Sequence, residues 1–434
     1  MVQPVALLCM VQTSRLDYNE AATRRVMIQD EVTTMPDTMQ AGGERNGRPP
    51  RGFPAGEYEA RLERAQRLMQ KAGLGALLLT TEPEVRYFSG FLTQFWRSPT
   101  RPWFLVVPRM GKPVAVIPEI GAATMARTWI EEIRTWPSPV PADEGVSLLA
   151  QTLAEMAGAG GRIGVPMGPE THLRMPLLDY QALRGRLPQA EFVDATPLLR
   201  ALRMVKSEAE IAKIRYMCEL VSGAFAAVPE LVAAGDTEEE AFRAFTLEIL
   251  GRGADEVPYL VGGAGPGGYG DIISPPSTRR LQQGDVLMFD TGSVYDGYYC
   301  DFDRNFAIGT AGDTTRRAYD LLYRATEAGL AAARPGITCA DLFASMWRIV
   351  DDGAGTESST GRLGHGLGMQ LTEWPSLTPA DQTVLVPGMV LTLEPALVVG
   401  PGRTMVHEEN IVIREDGAEL LTRRAPRELP VIGG

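Results

Sequence analysis

Five residues in the C-terminal half of the chain are candidates for one metal-binding centre: Asp290, Asp301, His365, Glu394 and Glu409. Asp290 closes the apolar run VLMF, where a buried carboxylate must be paired, protonated or metal-bound. Asp301 follows eleven residues later, past a glycine-containing hairpin turn that returns the chain to the same place. His365 stands in GRLGHGLGMQLTEWP, with glycines on both sides that let backbone and ring approach a crowded centre. Glu394 ends MVLTLE and Glu409 lies in MVHEENIVI, and both segments read as buried strands. The chain has only three histidines, so a metal site must lean on carboxylates. Oxygen-rich ligation with one imidazole suits manganese first, with iron, cobalt or zinc as alternatives. Four carboxylates overcharge a single ion, whereas two divalent ions balance them. Two-metal hydrolases hold such ions about 3.5–4 Å apart.

Strands and helices must bring these residues together, and the sequence suggests how. A capping box at Ser207 and Glu210 opens a long helix. Beyond it runs a weak internal repeat. AAGDTEEEAF at 233–242 resembles RPGITCADLF at 334–343, with Thr237 over Thr338 and Phe242 over Phe343. LQQGDVLMFD at 281–290 resembles LVPGMVLTLE at 385–394, and each copy ends in a carboxylate. Two halves of this kind can close a shared sheet around a pseudo-twofold axis. Upstream, residues 54–203 alternate helices with apolar strands such as GALLLTT, RPWFLVVP and KPVAVIP, the pattern of an α/β domain. Residues 1–53 carry a Gly- and Pro-rich polar stretch without a core pattern and read as a disordered lead-in. The expected organisation is therefore an extension over 1–53, an α/β domain over 54–203, and an α+β catalytic domain over 204–434.

Composition narrows the function. At 434 residues the chain is long enough for two or three domains. A net charge of −12 argues against nucleic acid as the main ligand. No apolar run reaches the ~20 residues of a membrane helix. Cys9, Cys218, Cys300 and Cys339 lack CxxC spacing, which excludes a cysteine zinc site and fits a reducing cytoplasm.

The motifs DTG…GYYCD, GHGLG, LEP and the final Glu409-Asn410 resemble those of the pita-bread metallopeptidases: prolidase, aminopeptidase P, methionine aminopeptidase and the metal-free creatinase. The resemblance covers residues 54–434, and it implies a creatinase-type N-terminal domain, a pita-bread catalytic domain and a homodimer. It implies that Asp290 binds one metal, Asp301 bridges, His365 and Glu394 hold the second metal, and Glu409 bridges again. Glu394 is then the proton-shuttling carboxylate, and a water between the ions is the nucleophile.

The chain departs from prolidases at two positions. The family's histidine 17 residues before the first metal strand is Ile273 here, and the one seven residues after His365 is Thr372. His407, two residues from Glu409, is the candidate to compensate as a catalytic imidazole. Trp374, nine residues from His365, is a further substrate-site candidate. So are Trp96 and Trp103, which in creatinase-type relatives belong to a domain that overhangs the partner subunit's site. These features predict an Xaa-Pro dipeptidase-like hydrolase acting on a dipeptide or another small substrate. Two alternatives are a lyase of the same fold acting on dimethylsulfoniopropionate, which also lacks these histidines, and a non-catalytic binding protein.

Overall fold

The computed structural model describes residues 47–158, 160–354 and 361–433. Most of the expected lead-in, with Cys9, lies outside them. Residues 48–53 do not behave as a free tail. Arg51 makes two bonds to the Asp255 carboxylate, Gly52 N–H donates to Asp296 Oδ2 at 2.8 Å, and the Phe53 ring lies 3.6 Å from Lys213 Nζ. Charge pairing and aromatic contact fix this short segment, although its composition reads as loop.

The N-terminal domain is built on α1 (Ala55–Ala72), β1 (Ala76–Leu79), α2 (Glu82–Ser89), β2 (Phe104–Pro108), β3 (Val114–Pro118), α3 (Ala122–Met125), β4 (Glu132–Trp136), α4 (Val146–Ala157), β5 (Arg162–Val165), α5 (Leu177–Arg186) and β6 (Glu191–Asp194). The strands form one sheet in the order β4-β3-β2-β1-β5-β6. β1 to β3 pair antiparallel, β2 and β3 through the turn at Arg109–Gly111, and the remaining pairs are parallel. β1, β2 and β3 are buried along their whole length because helices cover both faces.

After α6 (Thr196–Met204), the capping box at Ser207–Glu210 opens α7 (Glu208–Leu231), with both reciprocal bonds made. Then come α8 (Glu238–Arg252), β7 (Glu256–Pro266), β8 (Asp285–Tyr295), β9 (Tyr298–Tyr299) and β10 (Phe302–Ile308). The second half contains α9 (Asp313–Ala332), α10 (Cys339–Ala354), β11 (His365–Gly366), β12 (Glu373–Ser376), β13 (Val390–Leu393), β14 (Ala396–Gly400), β15 (Arg403–Val406), β16 (Glu409–Arg414), β17 (Gly417–Leu420) and β18 (Val431–Ile432). Two five-stranded sheets result, β18-β10-β8-β7 with β9 paired to β8, and β12-β11-β13-β16-β17, while β14 and β15 form a separate pair.

The internal repeat is physical. Thr237 caps α8, and its backbone bridges Arg280. Thr338 makes the same reciprocal bonds with Asp341 at the start of α10, and its backbone bridges Val384. Gly284 and Gly388 then enter β8 and β13 at φ 87° and 89°. In each half a threonine cap and a positive-φ glycine set the entry into a buried strand, and each strand delivers a carboxylate to the centre. Among the described residues, no helix is long and apolar enough to cross a membrane.

Candidate metal centre

Strand pairing decides which side chains meet. In the β8–β10 ladder Asp290 lies directly opposite Asp303. Directly opposed residues point to the same face, and so do residues two apart on one strand. Asp290, Asp303 and Asp301 therefore converge. In the β13–β16 ladder Leu393 pairs with Glu409. Carrying that antiparallel register one residue further places Glu394 opposite Glu408. Glu408 accordingly joins the centre, and ligand atoms of Asp301, His365 and Glu408 lie within 4.8 Å of one another. His365 Nε2 is 3.4 Å from Asp301 Oδ2 and 4.0 Å from Glu394 Oε2.

The expected ligand Glu409 faces the other way. Arg304 donates to its Oε2 at 2.9 Å, and the Thr422 hydroxyl donates to the same oxygen. Arg424 and the Ala425 N–H donate to its Oε1 at 2.8 and 2.9 Å. Burial opposes its charge, but Arg304, His407 and Arg424 prevail and hold the carboxyl at about 2. A carboxylate so fully engaged has no oxygen left to offer a metal. His407 shares that face. Its Nδ1 is 3.4 Å from Thr326 Oγ1, and its ring sits edge-on to Tyr319 and Tyr323. Burial lowers its pKa to about 3, against the pull of Glu409, so the imidazole is neutral. It stands behind the centre as a packing group, not among the converging ligands.

Glycine makes room for the His365 ring. Gly364 adopts φ 142°, and a Cβ there would lie 2.2 Å from the Thr392 carbonyl oxygen. A Cβ at Gly366 would lie 2.4 Å from the Trp374 carbonyl oxygen. His365 Nδ1 is 2.8 Å from the Gly366 carbonyl, which only accepts, so Nδ1 carries the proton. The Nε2 lone pair is thus left for the carboxylate cluster, the orientation a metal-ligating histidine needs.

Several buried carboxylate oxygens here have no hydrogen-bond partner: Asp290 Oδ1, Asp303 Oδ2, Glu394 Oε2 and Glu408 Oε1. Burial, then the neighbouring Asp301, pushes the Asp290 and Glu408 carboxyls well above the usual range. Burial raises Asp303 to about 8, with Arg304 opposing. Unpartnered buried oxygens of like charge are costly unless a cation neutralises them. The donor set therefore fits divalent metal. Asp290, Asp301, His365, Glu394 and Glu408 would hold it, with Asp303 behind Asp290 donating no hydrogen bond and accepting the Glu408 N–H at 2.9 Å.

Two further groups escaped the sequence reading. Tyr259 on β7 donates its hydroxyl to Asp290 Oδ2 at 3.3 Å, and the apolar flank of the strand gave no sign of it. Arg362, three residues before His365, reaches the Thr372 hydroxyl at 3.4 Å. The remaining substrate-site candidates scatter. Ile273 is 74% exposed. Trp374 lines a small pocket between α6 and β12, under the Arg200 guanidinium, with Thr372 on the same wall. Trp103 is 1% exposed, and with Trp96 and Phe91 it packs into the main core. Neither indole presents a wall to a ligand, because the aromatic-rich hairpin folds inward to cover β2 and β3.

Comparison with known proteins agrees with this geometry. Residues 212–415 match the profile of metallopeptidase family M24, and residues 61–205 match the creatinase/prolidase N-terminal domain. The probable dipeptidase PepE of Mycobacterium tuberculosis is 32% identical over 391 residues, 88% of this chain and 98% of that protein. An Xaa-Pro dipeptidase of Pyrococcus horikoshii is 26% identical over 83% of this chain and 96% of its own length. Among solved structures, dipeptidase PepE from Mycobacterium ulcerans superposes with a TM-score of 0.77 at 30% identity, covering 88% of this chain and 99% of that one. A prolidase from Thermococcus sibiricus shares the fold at TM-score 0.78 and 24% identity, over 88% and 100% of the two chains. With the pita-bread sheets, the convergent carboxylates and these relatives in agreement, the chain belongs to metallopeptidase family M24 and is a divalent-metal-dependent hydrolase with a creatinase-type N-terminal domain.

Proposed function

We propose that this enzyme hydrolyses dipeptides, Xaa-Pro dipeptides first among them, with two divalent cations held by Asp290, Asp301, His365, Glu394 and Glu408. The observation that carries the reading is the set of unpartnered carboxylate oxygens around the His365 lone pair. The similarity to dipeptidases over nearly their whole length supports a peptide as substrate. When bound, the cations polarise the scissile carbonyl and lower the pKa of the attacking water.

The chain's own groups do the rest. The Glu394 side chain is 21% exposed, so it stands where the buried cluster meets solvent. Its Oε2 has no partner and is placed to take a proton from the attacking water and return it to the leaving nitrogen. Burial raises the Glu394 carboxyl above its usual range, which suits a group that both accepts and donates a proton. Burial and then Asp290 raise the Tyr259 phenol, which keeps its proton and orients Asp290. His407, neutral and enclosed, takes no part in proton transfer.

The oxygen-rich donor set favours manganese. The buried free thiols Cys218, Cys300 and Cys339 suit a reducing cytoplasm, and the resemblance to creatinase-type chains supports a homodimer. A domain division near residues 54 and 204 is supported by the two profile matches, which leave only the start of α7 between them. The test is release of free proline from Xaa-Pro dipeptides by manganese-loaded enzyme, run beside Xaa-Xaa dipeptides and dimethylsulfoniopropionate. Hydrolysis at a kcat/KM on the order of 10⁴ M⁻¹s⁻¹ supports the reading. No dipeptide turnover, with acrylate released from the sulfonium compound, overturns it in favour of the lyase.

A further inference from the structure

Arg362 occupies an unusual position beside the centre. Its neighbour Leu363 is pinned on both sides: Leu363 N–H donates to the Leu377 carbonyl, and the Leu363 carbonyl accepts from Glu394 N–H, each at 2.9 Å. The base of the Arg362 side chain is therefore fixed next to Glu394, at the half-exposed rim of the cluster. Its guanidinium crosses to the Thr372 hydroxyl at 3.4 Å. Thr372 stands where prolidase-like sequences place an imidazole, so the short side chain leaves room that the guanidinium enters.

The other arginines near the centre are committed. Arg304 and Arg424 are both bound to Glu409. Arg362, among the described residues, forms no ion pair. Burial drives the Asp301 and Glu394 carboxyls upward, and Arg362 is among the charges that draw them back, so it lies within electrostatic reach of both. Among the described residues the Thr372 hydroxyl is the one hydrogen-bond partner of this half-buried guanidinium, so most of its five N–H donors are open to an anion.

We propose that Arg362, reaching over Thr372, binds the C-terminal carboxylate of the dipeptide and makes the enzyme selective for substrates with a free C-terminus. The proposal rests on the dipeptidase reading and names the residue that limits the substrate to one residue after the scissile bond. Guanidinium and carboxylate pair through parallel N–H···O bonds, which fix orientation as well as affinity. A positioning contact of this kind leaves the chemistry to the metal centre.

The experiment crosses the residue with the ligand group. Wild type, Arg362→Met and Arg362→Lys, each checked for metal content, are assayed on Ala-Pro and on Ala-Pro-amide. Binding of L-proline and L-prolinamide is measured in parallel by calorimetry. Wild type should prefer the acid by at least about tenfold. Arg362→Met should lose about 10- to 100-fold in kcat/KM on Ala-Pro, mainly through KM, and less than about threefold on the amide, the range expected for a hydrogen bond to a charged group. Arg362→Lys should recover part of the loss, and Arg362→Met should bind L-proline no better than L-prolinamide. Equal losses on acid and amide overturn the proposal and make Arg362 a structural tie to Thr372. Indifference of wild type to the carboxylate, in turnover or in binding, also overturns it. If no dipeptide is cleaved, the dipeptidase reading fails, and the calorimetric comparison still decides whether Arg362 holds a carboxylate.

Discussion

Exchange of Glu408 or Glu409 for glutamine should separate metal binding from stability. Both residues are buried, and they lie side by side on one strand. Glu409 is held at about 2 against an ordinary 4.5. At 1.36 kcal/mol per pH unit that difference is worth about 3 kcal/mol at neutral pH. The sign follows from a depressed folded-state value: the stabilisation is present above pH 4.5 and is lost as pH falls toward 2. Removing one partner of a buried pair costs about 3–5 kcal/mol by general experience, because Arg304 and Arg424 are left buried without their anion. Glu409→Gln should therefore unfold roughly 6–20 °C lower, on the scale of a domain of 150–250 residues, and still take up metal when folded. Glu408→Gln removes one of four mutually repelling carboxylates. Its metal-free form should be at least as stable as wild type, yet it should lose metal and activity. Thermal melts with and without chelator, combined with elemental analysis after dialysis, give both quantities. If Glu409→Gln loses its metal and Glu408→Gln keeps it, the β13–β16 register argument is wrong.

Three other outcomes are expected. A chain starting at Ala55 should be less stable than one starting at Gly47 by about 2 kcal/mol or more in urea unfolding, because it strands Lys213 without Gly52 O and Asp296 without Gly52 N–H; equal midpoints would show that residues 48–53 only rest on the surface. Burial opposes the Glu373 charge, but Arg203 and Lys206 hold the carboxyl at about 2, so Glu373→Gln should abolish about 3 kcal/mol of the stability that wild type loses between pH 4.5 and 2, measured by denaturant titration of metal-free protein. Tyr259→Phe should keep its metal but lose about tenfold in kcat, the scale of one hydrogen bond to a charged group; unchanged kcat would show that Asp290 needs no orienting donor.

Much of the centre is set by residue type and local spacing, and the sequence alone determined it. Asp290 and Asp301 are joined by a hairpin whose turn is encoded between them, so their meeting is a local event. His365 is flanked by glycines that no other residue could replace at Gly364. The two capped helices and two glycine-entered strands recur with nearly the same offset, which fixes a doubled architecture before any contact is known. The tertiary structure decided what depends on parity and on packing across the chain. β16 is buried on both faces, so no hydrophobic alternation marks which of Glu408 and Glu409 points inward; only pairing with β13 fixes it, and the same pairing turns His407 away. Trp96 and Trp103 look like binding residues in isolation, yet the core over β2 and β3 absorbs them. Arg362 and Tyr259 carry no local signal, because each gains its role from a partner brought near only when both halves of the sheet have closed.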